Sequence, residues 1–182
     1  MQAKNYSIKA TLRDGESINI RAISPEDKKL LLNGFHRLSP QSIKFRFLGL
    51  KKDLTHDELV YLTEVDHEKH VALVATHYKD NIELIIGVGR FIETESNDLV
   101  RSAEIGLAVV DEHQNRGIGS LLFEHLKKIA IQKGITRFEA HVLSDNCRMC
   151  DLFKHHGTNY VCSREYDTVR ISCSIQISQG LK

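Results

Sequence analysis

The six residues Gln114-Asn115-Arg116-Gly117-Ile118-Gly119 form a glycine-bearing turn between a run that reads as a strand, Ala103 to Val110, and one that reads as an amphipathic helix, Leu121 to Lys133. A second strand pattern, Arg137 to Leu143, follows. Strand, crossover helix and strand in one sheet come out parallel and right-handed, so this stretch commits the chain to an α/β architecture. A glycine turn that opens a helix also gathers unpaired backbone N–H groups at one spot, which favours a phosphate there.

The flanking sequence supplies the rest of a mixed sheet. Ile18 to Ile23 alternates as a short strand should, and Ser24-Pro25-Glu26-Asp27 provides an N-cap, a proline at the first helical position and an acid at the third. A helix with Leu31, Phe35 and Leu38 on one face is expected next. Ser39-Pro40 can start another, and Thr55-His56-Asp57-Glu58 is a capping box with Leu54 and Leu59 as its hydrophobic staple. Beyond residue 70 the texture turns to strands: Val71 to His77, a turn at Lys79-Asp80-Asn81, Leu84 to Ile92, a polar loop at Glu93 to Asp98, then Ala103 to Val110. Leu122, Leu126, Ile129 and Ala130 give the crossover helix its apolar face, and it stops at Lys133-Gly134. A helix from Cys147 to His156, ended by Gly157, and strands near 158–163 and 168–177 complete a single domain over 1–182, with its core at about 12–177.

At 182 residues one ordinary core suffices, and no Pro, Gly or Ser-rich stretch divides it. Lys plus Arg number 25 against 24 Asp plus Glu, so the overall field gives no reason to expect nucleic acid or an anionic membrane. Residues 1–7 lack the apolar stretch of a secretory signal, and no apolar run reaches bilayer length, so a cytoplasmic protein is expected. Cys147, Cys150, Cys162 and Cys173 are too few for a disulfide framework and are expected as small, reduced, buried hydrophobes.

Three uses compete for the glycine turn. A dinucleotide fold needs G-x-G-x-x-G, but Leu122 stands three residues after Gly119, and Gly87-Val88-Gly89 falls inside a strand pattern. A P-loop needs a lysine where Gly119 is followed directly by Ser120. What remains is Q-x-x-G-x-G, the pyrophosphate loop of the GNAT superfamily of N-acetyltransferases, which the chain resembles from Leu12 to Ile177. Arg21 to Asp27, Phe35 to Ser42 with Arg46-Phe47, and Leu143-Ser144-Asp145-Asn146 are similar to the catalytic domain of bacterial Pat-type protein lysine acetyltransferases.

The resemblance implies a GNAT fold: a mixed sheet of six to seven strands flanked by helices, the family's fourth and fifth strands parallel and splayed. It further implies acetyl-CoA as cosubstrate, no metal, and an amine acceptor, a protein lysine first, with a small-molecule amine as the alternative for a domain of this size. Leu107, Ala108 and Val109 would pair with the pantetheine amides, and the main-chain N–H groups of Asn115, Arg116, Gly117, Ile118, Gly119 and Ser120, behind Gln114, would hold the pyrophosphate. Asn146 matches the family's coenzyme-contacting asparagine; without the resemblance it reads as a cap.

Acetyl transfer to an amine needs a neutral nucleophile, whereas a lysine with a reference pKa of ~10.4 is charged at neutral pH. Glu104, in Ser102-Ala103-Glu104-Ile105, resembles the family's general-base glutamate, and on a strand it shares a face with Gly106 and Ala108. Burial in a cleft would raise its pKa towards working pH, while the residue pattern alone also fits an acid paired at a strand edge. His141 is the rival base, or a histidine half-buried in the sheet. Phe153 stands where many relatives place the tyrosine that protonates the thiolate, which leaves open a non-catalytic acyl-CoA sensor. Cys147-Arg148-Met149-Cys150 lacks the following proline of a redox fold, and adding His155 and His156 puts every zinc ligand on one short helix. Acceptor walls are expected from about 25–65 and 158–177, where Arg37, Lys44 and Arg46 fit an acidic or carboxylate-bearing acceptor but are expected first as an ordinary solvated helix face. Monomer and homodimer both fit, since the last strands can pair between chains.

Overall fold

The computed structural model describes residues 2–94 and 100–176. Most of the loop expected at Glu93 to Asp98 and the tip of the strand expected to reach 177 lie outside them. The chain folds as one eight-stranded sheet with β1 Ser7–Thr11, β2 Ser17–Ala22, β3 His70–Lys79, β4 Ile82–Glu93, β5 Ser102–Val109, β6 Arg137–Leu143, β7 Thr158–Glu165 and β8 Thr168–Ser174. Their spatial order is β1-β2-β3-β4-β5-β6-β8-β7. Among the described residues only β5 and β6 run parallel; the other pairs are antiparallel. The strand beyond the expected six to seven is β1, an edge strand whose side chains alternate between exposed and half-buried. With no buried residue, its hydrophobic period is faint.

Helices cover both faces: α1 Lys28–His36, α2 Pro40–Phe47, α3 His56–Thr63, α4 Ile118–Gln132 and α5 Cys147–His156. On one face, Leu122, Phe123, Leu126 and Ile129 of α4 pack on Ile20, Leu73, Ile86 and Ile105. Phe123 meets Phe138 at 5.5 Å and Phe153 at 5.6 Å, edge to face, where ring quadrupoles attract. On the other face Leu31 of α1 joins Ala72, Val74 and Ile85. This is why Val71 to Thr76 is buried without alternation: β3 is covered on both sides. Asp80 and Asn81 both take positive φ (51° and 63°), the geometry of a two-residue hairpin turn.

The expected capping boxes at Ser24/Asp27 and Thr55/Glu58 both form. α4 begins at Ile118 rather than Leu121, because Ile118 is itself a core residue. A Cβ on Gly87 would lie 2.8 Å from Ile118 Cγ2, and one on Gly89 2.9 Å from Leu126 Cδ1, so the glycine pair within β4 lets α4 settle on the sheet.

Candidate active site

The parallel pair is short. Ser102, Ala103 and Glu104 register with Arg137, Phe138 and Glu139, and from Ile105 onward β5 and β6 separate. The Val110 amide bonds to the Ile86 carbonyl at 3.0 Å, so by alternation the even-numbered residues of β5 address β4. Leu107 and Val109 therefore turn their backbone groups towards the gap that β6 has left. A cavity of about 630 Å³ opens there, lined by Leu107, Ala108, Val109, Gln114, Asn115, Gly117, Ile118, Gly119, Ser120 and Asn146. These are the expected cofactor residues, with one exception.

The exception is Arg116. Its guanidinium turns outward to Asp14 and Glu16 on the β1–β2 turn and to His113 Nδ1 at 2.9 Å, leaving only its main chain for the loop. Its hydrogen bonds hold the Asp14 and Glu16 carboxyls below their ordinary values. Gln114 is likewise engaged with protein: its Nε2 donates to the Val109 carbonyl at 3.0 Å and to Ser42 Oγ at 3.1 Å, and its Oε1 accepts from Arg148. It ties β5, α2 and α5 together behind the loop.

Asn115 (φ 62°) and Gly117 (φ 95°) hold the left-handed turn that swings the chain into α4. Gly117 is the N-cap residue; no side chain caps α4, and its first turn carries no acid. The first amides of a helix have no intrahelical partner, so here they face the cavity uncapped. Two cations beside them, Arg13 and Arg148, escaped the sequence reading. Arg13 reaches within 3.5 Å of where a Gly117 Cβ would lie, from the β1–β2 turn, and no local pattern signals that approach.

Asn146 is a helix cap that also lines the clefts. Its side-chain oxygen caps α5 by accepting from the Met149 amide at 3.3 Å, and the residue borders the cavities on both sides of the splay.

The second cavity, about 490 Å³, shares Phe45, Arg46, Leu107, Asn146 and Met149 with the first and adds Glu58, Tyr61, Arg90, Glu104 and His141. Glu104 borders it as expected and is exposed. The strand pleat explains this: Glu104 stands on the helix-α2 face of β5 at the rim, while Ala103 and Ile105 take the core side. His141 is also exposed, not half-buried. Among the described residues the lining comes from the α2–α3 region, β4 to β6 and the start of α5, and the last hairpin, expected as a second wall, contributes none of it.

Arg46 corrects another expectation. It lies not on a solvated face but over β5, its Cζ 3.2 Å from where a Gly106 Cβ would be. Phe153 is fully buried against Phe123 and does not approach the cleft. Of the four cysteines, all free, only Cys173 is a buried hydrophobe; Cys147 and Cys162 are exposed and Cys150 is intermediate.

Two clefts meeting where parallel strands diverge, one with uncapped amides and one with a carboxylate, suit transfer from a phosphate-bearing carrier to a second substrate. The sequence matches the model of the acetyltransferase (GNAT) family over residues 40–158. It is 34% identical over 154 residues to "Acetyltransferase Pat" of Mycolicibacterium smegmatis, covering 85% of this chain and 45% of that protein, so the chain spans less than half of that relative. It is 28% identical over 142 residues to "Acetyltransferase PA5475" of Pseudomonas aeruginosa, covering 78% of this chain and 75% of that protein. The fold is similar to the crystal structure of the GNAT domain of S. lividans PAT, with a TM-score of 0.81, 28% identity, and coverage of 92% and 96% of the two chains. The chain belongs to the acetyltransferase (GNAT) family, N-acetyltransferases whose acyl donor is acetyl-CoA.

Proposed function

We propose that this protein moves the acetyl group of acetyl-CoA onto a primary amine, a protein lysine in the first instance, by direct attack within a ternary complex. The observation that carries this reading is the splay: it joins the uncapped start of α4 to the cleft holding Glu104 through residues common to both cavities. Likeness to the Pat-type catalytic domain supports the lysine.

The diphosphate docks on the amides from Asn115 to Ser120, and the pantetheine arm runs along the open edge of β5, pairing with the backbone of Leu107 and Val109. Those edge amides also polarise the thioester carbonyl. Glu104 takes a proton from the acceptor ammonium, directly or through a water, and the freed amine attacks the carbonyl carbon. The C–N bond forms, the C–S bond breaks, and the coenzyme leaves as thiolate. With Phe153 sealed in the core, α5 offers no phenol to that thiolate, so its proton comes from water or from the cationic nitrogen of the collapsing intermediate. A thiol with a reference pKa of ~8.5 is a good enough leaving group for that.

Amine-dependent thiol release tests the reading. Glu104→Gln is expected to lower kcat/KM by about 10²–10⁴, the usual worth of general-base catalysis, with coenzyme A affinity by calorimetry unchanged. His141→Ala is expected to stay within about threefold of wild type on the same scale. If the large loss follows His141 instead, the base is misassigned. Tight coenzyme binding with no turnover on any amine makes the protein an acyl-CoA sensor.

A further inference from the structure

The acceptor cleft has two guanidiniums at its floor. Arg90 of β4 registers directly opposite Gly106 of β5, and cross-strand partners project to the same face. Gly106 has no side chain, and Arg46 of α2 lies in the vacated space, 3.2 Å from where a Cβ would sit. The two guanidiniums are therefore neighbours, and each borders the cavity that contains Glu104.

Among the described residues neither is matched by a carboxylate within bonding distance. Arg90, 5% exposed, donates to the Leu62 carbonyl at 3.1 Å and meets His70 Nε2 at 3.1 Å, both of them neutral acceptors. Burial and the Arg90 charge pull the His70 pKa down to about 4, so the ring accepts and does not add a third cation. Among the described residues Arg46 has no hydrogen bond and no ion pair from its side chain; its ring contact is with the adjacent Phe47, at 5.4 Å. Glu58, the other acid on this wall, is paired with Lys51. Burial pulls both guanidiniums below their ordinary pKa, with the Glu104 charge opposing the shift at Arg46. Among the described residues, one buried and one half-buried guanidinium face a single unpaired rim carboxylate, an excess of one positive charge at the cleft floor. Charges so enclosed are ordinarily paired.

We infer that Arg46 and Arg90 form an anion subsite, and that the preferred acceptor is an amine carrying a carboxylate a few bonds from its nitrogen. The ammonium then meets Glu104 while the carboxylate meets the guanidiniums, which fixes the nitrogen for attack. The planar fork of Arg46 suits a bidentate carboxylate contact. This specificity rests on the transferase reading and adds the acceptor's chemical class to it. Either a free amino acid or a lysine flanked by acidic residues can supply the carboxylate.

The test compares matched acceptors on the full chain with acetyl-CoA: lysine peptides with glutamate or glutamine next to the lysine, and free glutamate against its diamide. The quantity read is the kcat/KM ratio of the acidic over the uncharged member of each pair, which cancels general loss of activity. Wild type is expected to favour the acidic member, Arg46→Gln to lower the ratio by about ten- to hundredfold, and Arg46→Lys to retain part of it. Whichever pair shows the preference identifies the carboxylate's source. A ratio near one in wild type, or one indifferent to Arg46→Gln, overturns the proposal. So does a preference for succinyl-CoA over acetyl-CoA on the uncharged acceptor that is lost in Arg46→Gln, which would place the anion on the donor. Independently of turnover, NMR of the arginine Nε–Hε groups with coenzyme A bound follows a titration with glutarate. Saturable shifts at Arg46 and Arg90 in wild type, with the Arg90 shift lost in Arg46→Gln, support the subsite even if no amine is acetylated. Unmoved resonances overturn it even if transfer is brisk.

Discussion

At the start of α3 the Glu58 amide donates to the Thr55 hydroxyl at 3.3 Å, and the Glu58 carboxylate accepts from the Thr55 amide at 2.8 Å. At the start of α4, Gly117 has no side chain with which to cap, and the first turn contains no acid. Both helices end in the same orphaned donors and the same partial positive charge. The difference lies in who satisfies them. α3 closes on itself and serves as a wall, whereas α4 leaves its amides beside the splay, with Arg13 and Arg148 adding positive charge. A bare helix start is thus informative here because the other helix starts are furnished: Ser39 caps α2, Asn146 caps α5, and a Ser24/Asp27 box precedes α1.

The sharpest way to break the contrast is to furnish α4. Ser120, the third residue of the helix, is where a capping acid would stand, and Ser120→Glu places a carboxylate at the mouth of the proposed diphosphate cradle. A like charge at about 5 Å in an effective dielectric of ~20 costs about 3 kcal/mol, or roughly a hundredfold in coenzyme A affinity. The same carboxylate suits the helix dipole, so the unliganded protein is expected to hold its stability or gain about 0.3–1 kcal/mol. Calorimetry with coenzyme A and thermal unfolding read the two effects. Opposite signs are the signature; affinity within threefold of wild type would mean that α4 does not bind the diphosphate.

Much of this contrast is legible in the sequence, and its limits are physical. The boxes at Ser24 and Thr55 announce themselves because capping is local chemistry between residues three apart. The glycine turn and the apolar period of α4 are equally local, as is the strand-helix-strand order that makes β5 and β6 parallel. What escapes is set by distant approach. Arg46 reads as a surface cation on α2 until Gly106 on β5 is seen to make room for it. Arg116 keeps its main chain in the loop while Asp14 and Glu16 draw its side chain away, an approach from β1–β2 that nothing local announces. Glu104 was placed on the correct face by strand alternation, yet its exposure depends on where β6 departs, which no residue in β5 reports. β1 went unseen because an edge strand buries too little to carry a pattern.

A second test takes the furnished side of the comparison. Asp27 closes the box before α1 and also receives Arg21 through two bonds of 2.7 and 2.8 Å, with the Ser24 amide at 2.8 Å. Burial alone would raise this carboxyl, but the hydrogen bonds from Arg21 and Ser24 hold it below its ordinary 3.8. Asp27→Asn is expected to cost about 2 kcal/mol, short of the 3–5 of a fully buried pair because the Arg21 side chain is 20% exposed. A depressed folded-state pKa stabilises above the unfolded value and stops doing so as pH falls through the folded one. The gap between wild type and variant should therefore be constant from neutrality to about pH 5 and shrink below about pH 4. Urea unfolding at several pH values measures it, and a gap that widens on acidification would contradict the assignment.

The smallest effect is also the control on which the comparison turns. Thr55→Ala removes the hydroxyl half of the α3 box, leaving the Glu58 amide without its acceptor. Loss of an N-cap hydroxyl costs about 1 kcal/mol, which for a chain of this size lowers Tm by roughly 2–4 °C. Because α3 borders the acceptor cleft and not the cofactor cleft, coenzyme A affinity should stay within about twofold, a few tenths of a kcal/mol. Faster amide exchange confined to the first turn of α3 would locate the loss. A tenfold drop in coenzyme affinity would show instead that α3 and the cofactor cleft move together, so that a capped helix start cannot be treated as scaffold and an uncapped one as site.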